Sequence, residues 1–214
     1  MTLILRNLVF TASLAAAWCG LAASPGAGAR PQQTNTLENK PEVYVSDFDI
    51  DVLPPAGSAP KPEEDPRKQA GRLVDWMSTK VIAALQKAGY RAVRLHQGDA
   101  RPDSGVRIRG LFAEVDKDNH WRRAVIRTAA DSGKMEALVS VANLGKPDQK
   151  LYEIAQLPGN ESKPGAVITL SPYVPLTKFD LGKDASEDDF QKIAARIVND
   201  LTALLNANPS AVSQ

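Results

Sequence analysis

Between Asp65 and Gly89 the chain reads DPRKQAGRLVDWMSTKVIAALQKAG, and no other stretch restricts the fold so tightly. Asp65 suits an N-cap, and Pro66 stands at the first helical position, where its missing N–H costs nothing. Ala70, Val74, Met77, Val81, Leu85 and Ala88 recur at spacings of three and four and make one apolar stripe, with Arg72, Asp75, Lys80 and Lys87 outside it. Gly89 supplies the C-terminal cap. Strand signals flank the helix on both sides: EVYVSDFDI before it, where Tyr44, Ser46, Phe48 and Ile50 alternate with Val43, Val45, Asp47 and Asp49, and YRAVRL after it. Strand, helix and strand in this order make a βαβ unit, whose two strands must run parallel.

The rest of the chain changes character. VRIRGLFAEV, WRRAVIRTAA, KMEALVSVAN and KLYEIAQL are separated by DKDNH, DSG and LGKPDQ, short polar turns that predict antiparallel hairpins. Apolar parity switches at Gly110, from Val106 and Ile108 to Leu111, Ala113 and Val115, and a bulge there would reconcile the two phases. Ser186 and Asp189 form a Ser-x-x-Asp variant of the capping box ahead of a last helix whose stripe is Phe190, Ile193, Ala194, Ile197, Leu201 and Leu204. These elements predict an α+β domain over residues 42–206, a βαβ unit followed by an antiparallel strand run and a C-terminal helix. Both helices are expected to pack on one face of a mixed sheet. Residues 53–62 lie in a Pro-rich loop, residues 30–41 in a polar, flexible N-terminus, and residues 207–214 in a disordered tail.

Residues 1–29 have the pattern of an export signal: Arg6, an apolar core from Leu8 to Ala23, and Ala27-Gly28-Ala29 before the cut. The apolar core falls short of a membrane span, and Ser24-Pro25-Gly26 breaks it. The only cysteine, Cys19, lies in this leader behind Trp18, and the bulky indole occupies the place where lipoproteins carry a small residue. Cys19 is therefore expected to leave with the leader, so that a mature chain starting at Arg30 has no thiol for nucleophilic catalysis or zinc. Lys and Arg number 26 against 25 Asp and Glu, and the leader removes only Arg6. A balanced charge gives no reason to expect nucleic acid or an anionic membrane as partner. Within that balance, residues 42–65 are acidic and residues 90–127 basic. Cross-strand ion pairs are the expected outcome, a binding groove the alternative.

Chemical motifs are sparse. The chain lacks a phosphate-binding Gly-Lys-Ser/Thr loop, a Gly-x-Ser-x-Gly elbow and a Gly-x-Gly-x-x-Gly turn, so no nucleotide cofactor is expected. His96 and His120 stand apart from any zincin motif and read as surface residues. Asp47, Asp49 and Asp51 alternate like the start of a calcium loop, but Val52 replaces the glycine and Ser58 the terminal glutamate. A row of acids facing arginines of adjacent strands is expected instead, and no metal. Trp76 and Trp121 read as packing residues.

VYVSDFDI, GRLVDWMSTKVIAALQKAGYRAVRL and IRGLFAEVDKDNHWRRAVI, behind an exported N-terminus, resemble the bacterial domain-of-unknown-function family 4410. The resemblance implies an envelope location, and the strand pattern is similar to accessory proteins of curli secretion and to the N-terminal domain of the Tol translocation protein. Members commonly carry a Gly-Phe-Gly-Ala-Gly stretch where this chain has Arg127-Thr128-Ala129-Ala130-Asp131-Ser132-Gly133. The expectation is a non-catalytic periplasmic or outer-membrane-associated module that binds another envelope protein through a strand edge or through Arg122, Arg123 and Tyr173. The alternative is an envelope-acting hydrolase using a carboxylate pair such as Asp47 and Glu114.

Overall fold

The computed structural model describes residues 40–53, 65–127, 133–146, 150–152, 155–156, 163–170 and 178–209. The leader, its cleavage site, Cys19, Tyr173 and residues 210–214 lie outside them. In chain order the elements are β1 (Val43–Ser46), β2 (Asp51–Val52), α1 (Pro66–Lys87), β3 (Ala92–Leu95), β4 (Val106–Val115), β5 (Trp121–Arg123), β6 (Val125–Ile126), β7 (Lys134–Asn143), β8 (Lys150–Tyr152), β9 (Ala155–Gln156), β10 (Thr169–Leu170), β11 (Lys178–Gly182) and α2 (Glu187–Ala207).

Both helix starts and the first helix end follow from local chemistry. Asp65 Oδ1 accepts the Arg67 N–H at 2.9 Å. At the other end of α1, Gly89 takes φ +84°, its N–H donates to Gln86 O, and the Tyr90 N–H donates to Leu85 O. This is a Schellman closure, open to glycine because of the left-handed φ. The Asp189 carboxylate accepts both the Ser186 N–H, at 3.1 Å, and the Ser186 hydroxyl, at 2.7 Å. Those two bonds pull the Asp189 pKa below its ordinary value.

The main sheet has the order β11-β7-β4-β1-β3, with β5 attached to β4 and β8 to β7. β1 runs parallel to both β3 and β4, as the βαβ unit requires, and the β4/β5, β4/β7, β7/β8 and β7/β11 pairs are antiparallel. The sheet is therefore mixed and the fold α+β, with both helices on one face. There, Val43, Val45, Ile108, Phe112, Ala137 and Phe179 meet the buried stripes of α1 and α2. Lys80 Nζ lies 2.5 Å from Glu187 Oε1, the Trp76 and Phe190 rings are 5.8 Å apart, and Tyr90 Oη is 3.0 Å from Thr202 Oγ1. The start of α2 thus lies beside the middle of α1, and Thr202 further along α2 lies beside Tyr90 just past the end of α1, so the two helices run broadly parallel.

Three details differ from the sequence expectation. The α1 stripe is centred on Gln69, Leu73, Met77, Ser78, Val81 and Leu85 rather than on Val74, which is only half-buried. Among the described residues no hairpin is seen on the two sides of DSG, whose Asp131 and Ser132 lie outside them: β7 pairs with β4, while β6 pairs in parallel with β2. Nor does β4 bulge at Gly110, since its register with β7 runs unbroken from Val106 to Ala113.

The parity switch has another cause. Both faces of β4 become covered, because Leu111 and Ala113 join Leu138 and Ile168 in a second small core under Trp121, away from the helices. The irregularity lies on the chain following β1. Val45 faces Ile108 but Asp49 faces Leu111, so four residues on one chain span three on the other. The extra residue turns Phe48 inward, where its ring sits directly on Gly110 and 5.7 Å from that of Phe112. A Cβ at Gly110 would collide with that buried ring. Gly110→Ala is expected to cost about 1–3 kcal/mol, as overpacking does. A thermal melt checks this, and Phe48→Leu should restore part of the loss.

Candidate functional site

Each aspartate of the Asp47, Asp49 and Asp51 series meets an arginine, but not along one face. Asp47 Oδ1 accepts Arg94 Nε of β3 at 2.6 Å, Asp49 Oδ2 lies 3.3 Å from Arg109 Nη2 of β4, and Asp51 Oδ1 lies 2.7 Å from Arg123 Nη2 of β5. The extra residue after β1 splits the row, leaving Asp47 beside α1 and Asp49 beside the sheet face that carries Arg109.

Around Asp47 a hydroxyl, a carboxylate and an imidazole come together. The Ser78 hydroxyl donates to Asp47 Oδ1 at 3.3 Å, and His96 Nδ1 lies 3.1 Å from Asp47 Oδ2. The order is wrong for nucleophilic catalysis, which requires the imidazole between serine and carboxylate. Ser78 is fully buried as well, and Arg94 bridges Asp47 to Asp75 of α1 at 2.6 Å. The cluster ties β1, β3 and α1 together.

The hydrolytic pair does not converge. Asp47 is held by Arg94 at the β3 edge, whereas Glu114 Oε2 lies 3.0 Å from Lys183 Nζ, a lysine almost sealed from solvent that also donates to Val125 O at 3.0 Å. Gln69 of α1 donates to the Lys183 carbonyl at 3.3 Å. Each carboxylate thus serves its own ion pair.

Arg122 and Arg123, neighbours on β5, have different surroundings. Arg123 is only 12 % exposed and Asp51 11 %. Asp51 Oδ2 also accepts the Gly165 N–H at 2.8 Å. Arg123 is enclosed, because segment 165–168 lies along β5 through Arg123 N–H to Ala166 O and Ile168 N–H to Trp121 O. Arg122 is more open, but its guanidinium is used: Nε donates to Asp116 Oδ2 at 2.5 Å and Nη1 to Gly165 O at 3.3 Å.

Asp116 closes the β4–β5 hairpin. Its Oδ1 accepts the Asp118 and His120 N–H groups at 2.9 and 2.8 Å. Asp116, Asp118 and His120 bring three ligand atoms within 4.8 Å of one another, but the Asp116 oxygens are already committed to Arg122 and to the turn backbone. The Arg122 hydrogen bond, aided by the two backbone donors, pulls the Asp116 pKa down to about 2. A depressed carboxylate contributes stability that is complete above the ordinary value near 3.9 and is lost as pH falls through its folded value. The carboxyl-carbon NMR titration of Asp116 is therefore expected to have its midpoint at about 2, and Arg122→Gln should move it upward. An ordinary midpoint in the wild type would mean that the ion pair is not formed.

Two features were missed in the sequence. Lys183 follows an apolar strand in a turn-like LGKDAS segment, a context that normally projects lysine into water. The edge of β3 is the other. Val43 N–H donates to Arg91 O and Asp47 N–H to Leu95 O, so odd-numbered residues face β1 and the backbone groups of Ala92 and Arg94 face outward. Among the described residues no strand pairs with that side. The outward His96 N–H is capped by Asp99 Oδ2 at 2.7 Å.

Among the described residues no helix is long and apolar enough to cross a membrane. No curated protein matches the chain. A family model, the domain of unknown function DUF4410, matches residues 43–177. That span runs from β1 through β10 and stops before β11 and α2, which complete the helix-side core. A match over more than half of the chain, carried by a βαβ unit and the strands that follow it, places the protein in the DUF4410 family.

Proposed function

We propose that this protein is an exported, non-catalytic module of the bacterial envelope, periplasmic after loss of its leader, which takes up an extended segment of another envelope protein along β3. The observation that carries this reading is the outward row of Ala92 and Arg94 backbone groups on an edge strand with no partner among the described residues. Such an edge is a template for strand addition, in which main-chain hydrogen bonds give affinity and alternate side chains give selectivity. Val93, 42 % exposed, would face the incoming segment's neighbours on the sheet face. The acidic and basic side chains around Asp47, Asp51 and Glu114 are engaged in holding elements together, which favours binding over catalysis.

A photo-crosslinking residue at Val93, in protein expressed with its leader in a bacterial host, tests the reading. The expected result is one dominant envelope adduct on a chain beginning at Arg30. Ala92→Pro, which removes an outward N–H that the sheet itself does not use, should abolish the adduct with melting unchanged. Adducts that survive Ala92→Pro, or a chain that stays in the cytoplasm, would refute it.

A further inference from the structure

The arginines of the basic segment are not all neutralised alike. Alternate residues of β4 point away from the helices, placing Arg107 and Arg109 on the same face as Leu111 and Ala113. Arg94, Arg122 and Arg123 each hold a carboxylate oxygen within 2.7 Å, and Arg109 reaches Asp49 at 3.3 Å. Arg107 has no such partner among the described residues. Its neighbours in register are Tyr44 on β1 and Ala142 on β7. The acid closest in sequence to Tyr44, Glu42, is taken by the Tyr44 hydroxyl at 2.8 Å and by Arg91 at 3.3 Å.

Arg107 is half-buried, and its Nε is sealed from solvent without a hydrogen-bond acceptor. The charges acting on it are those of Arg109 and Arg101, both repulsive; they and, above all, burial lower its pKa. A guanidinium stays protonated even so. A sheltered cation with an unused donor and two like charges beside it leaves a charge deficit that an anion would relieve. Arginines two apart on one strand face stand roughly 6.5–7 Å apart along the chain, close enough for two planar forks to share one oxyanion.

We propose that Arg107, with Arg109 and Arg101, forms a binding site for a phosphate group on the sheet face opposite the helices. Phosphate suits it better than a carboxylate, because Arg107 has no acid partner among the described residues and the charges of Arg109 and Arg101 act on it too, whereas a carboxylate offers two oxygens and a single charge. The site is independent of strand addition at β3: it uses side chains of β4 and of the loop before it, not an edge backbone. A free phosphate and a phospholipid headgroup carry the same chemistry, and the test separates them.

The full chain is melted in increasing inorganic phosphate against chloride at matched ionic strength. Near 100 times the dissociation constant, phosphate is expected to raise the melting temperature by roughly 5 °C beyond chloride. Arg107→Gln should lose that response while melting no lower than wild type in chloride, since the charge it removes has no acid partner. Arg101→Gln, at an exposed position that does not endanger folding, should shift the phosphate midpoint several-fold upward. Co-sedimentation with phosphatidylglycerol vesicles, against phosphatidylcholine, assigns the source: Arg107-dependent pelleting marks a headgroup, and a melting response without pelleting marks a soluble phosphate. An equal rise in chloride, or a response that persists in Arg107→Gln and Arg101→Gln, overturns the proposal.

Discussion

Ile197→Asp is expected to unfold the domain at room temperature. Ile197 is 3 % exposed in the core that joins α2 to α1 and the sheet. Losing its buried side chain alone removes roughly 1.5–3 kcal/mol. The carboxylate that replaces it has no partner there, and it must either stay charged in an apolar site or take up a proton, which adds several kcal/mol more. Together these approach or exceed the total stability of a domain this size, about 5–15 kcal/mol. Circular dichroism should show loss of the cooperative melt, while Ile197→Val, costing about 0.5–1.5 kcal/mol, should keep it. A normal melt for the Asp variant would mean that α2 is not part of the core. Because the family match ends before α2, the same measurement asks whether the matched segment needs this helix to be stable.

Glu114→Ala is expected to give the second-largest loss, about 2–4 kcal/mol. Lys183 is only 2 % exposed at its side chain, and removal of Glu114 takes away a carboxylate held 3.0 Å from its ammonium. Breaking a buried pair from one side costs about 3–5 kcal/mol, and the 22 % exposure of Glu114 lets water recover part of it. Replacing both partners, Lys183→Met with Glu114→Leu, should be milder than the Glu114→Ala change alone, because the buried ammonium goes together with the carboxylate. Urea unfolding of the wild type, Glu114→Leu, Lys183→Met and the double variant gives the coupling directly. Additive losses would show that the pair does not act as a unit.

The helices were legible for a simple reason: caps and stripes are local. Asp65-Pro66, Gly89 and Ser186-x-x-Asp189 each close hydrogen bonds within a few residues, and the structure uses all of them. The strands of β4 and β7 were legible too, down to their end residues, since long alternating or apolar runs bounded by turn residues leave little choice. Pairing was less so. The DSG turn suggested a hairpin, but β7 lies against β4 because α1 and α2 need a continuous sheet beneath them, and β6 is taken by β2.

The charged residues separate local from tertiary information most clearly. That acids of residues 47–51 would meet arginines of residues 94–123 followed from strand alternation and opposite charge, and the partners found are Arg94, Arg109 and Arg123. Which arginine lies open and which lies enclosed did not follow. Arg122 and Arg123 look equivalent in WRR, yet segment 165–168 packs over β5 and encloses Arg123. Lys183 and Arg107 gave no local sign of their situations, the first sealed against Glu114 and the second sheltered beside two like charges. By itself the sequence determined the helices, the parallel βαβ unit, the family and the charge complementarity between two segments, because each depends on neighbours in the chain or on composition. Only the tertiary structure decided which cations are neutralised and which sheet edge stays open, because those depend on residues such as Arg94 with Asp47, Arg123 with Asp51 and Lys183 with Glu114, which lie far apart in the chain and meet only in the folded sheet.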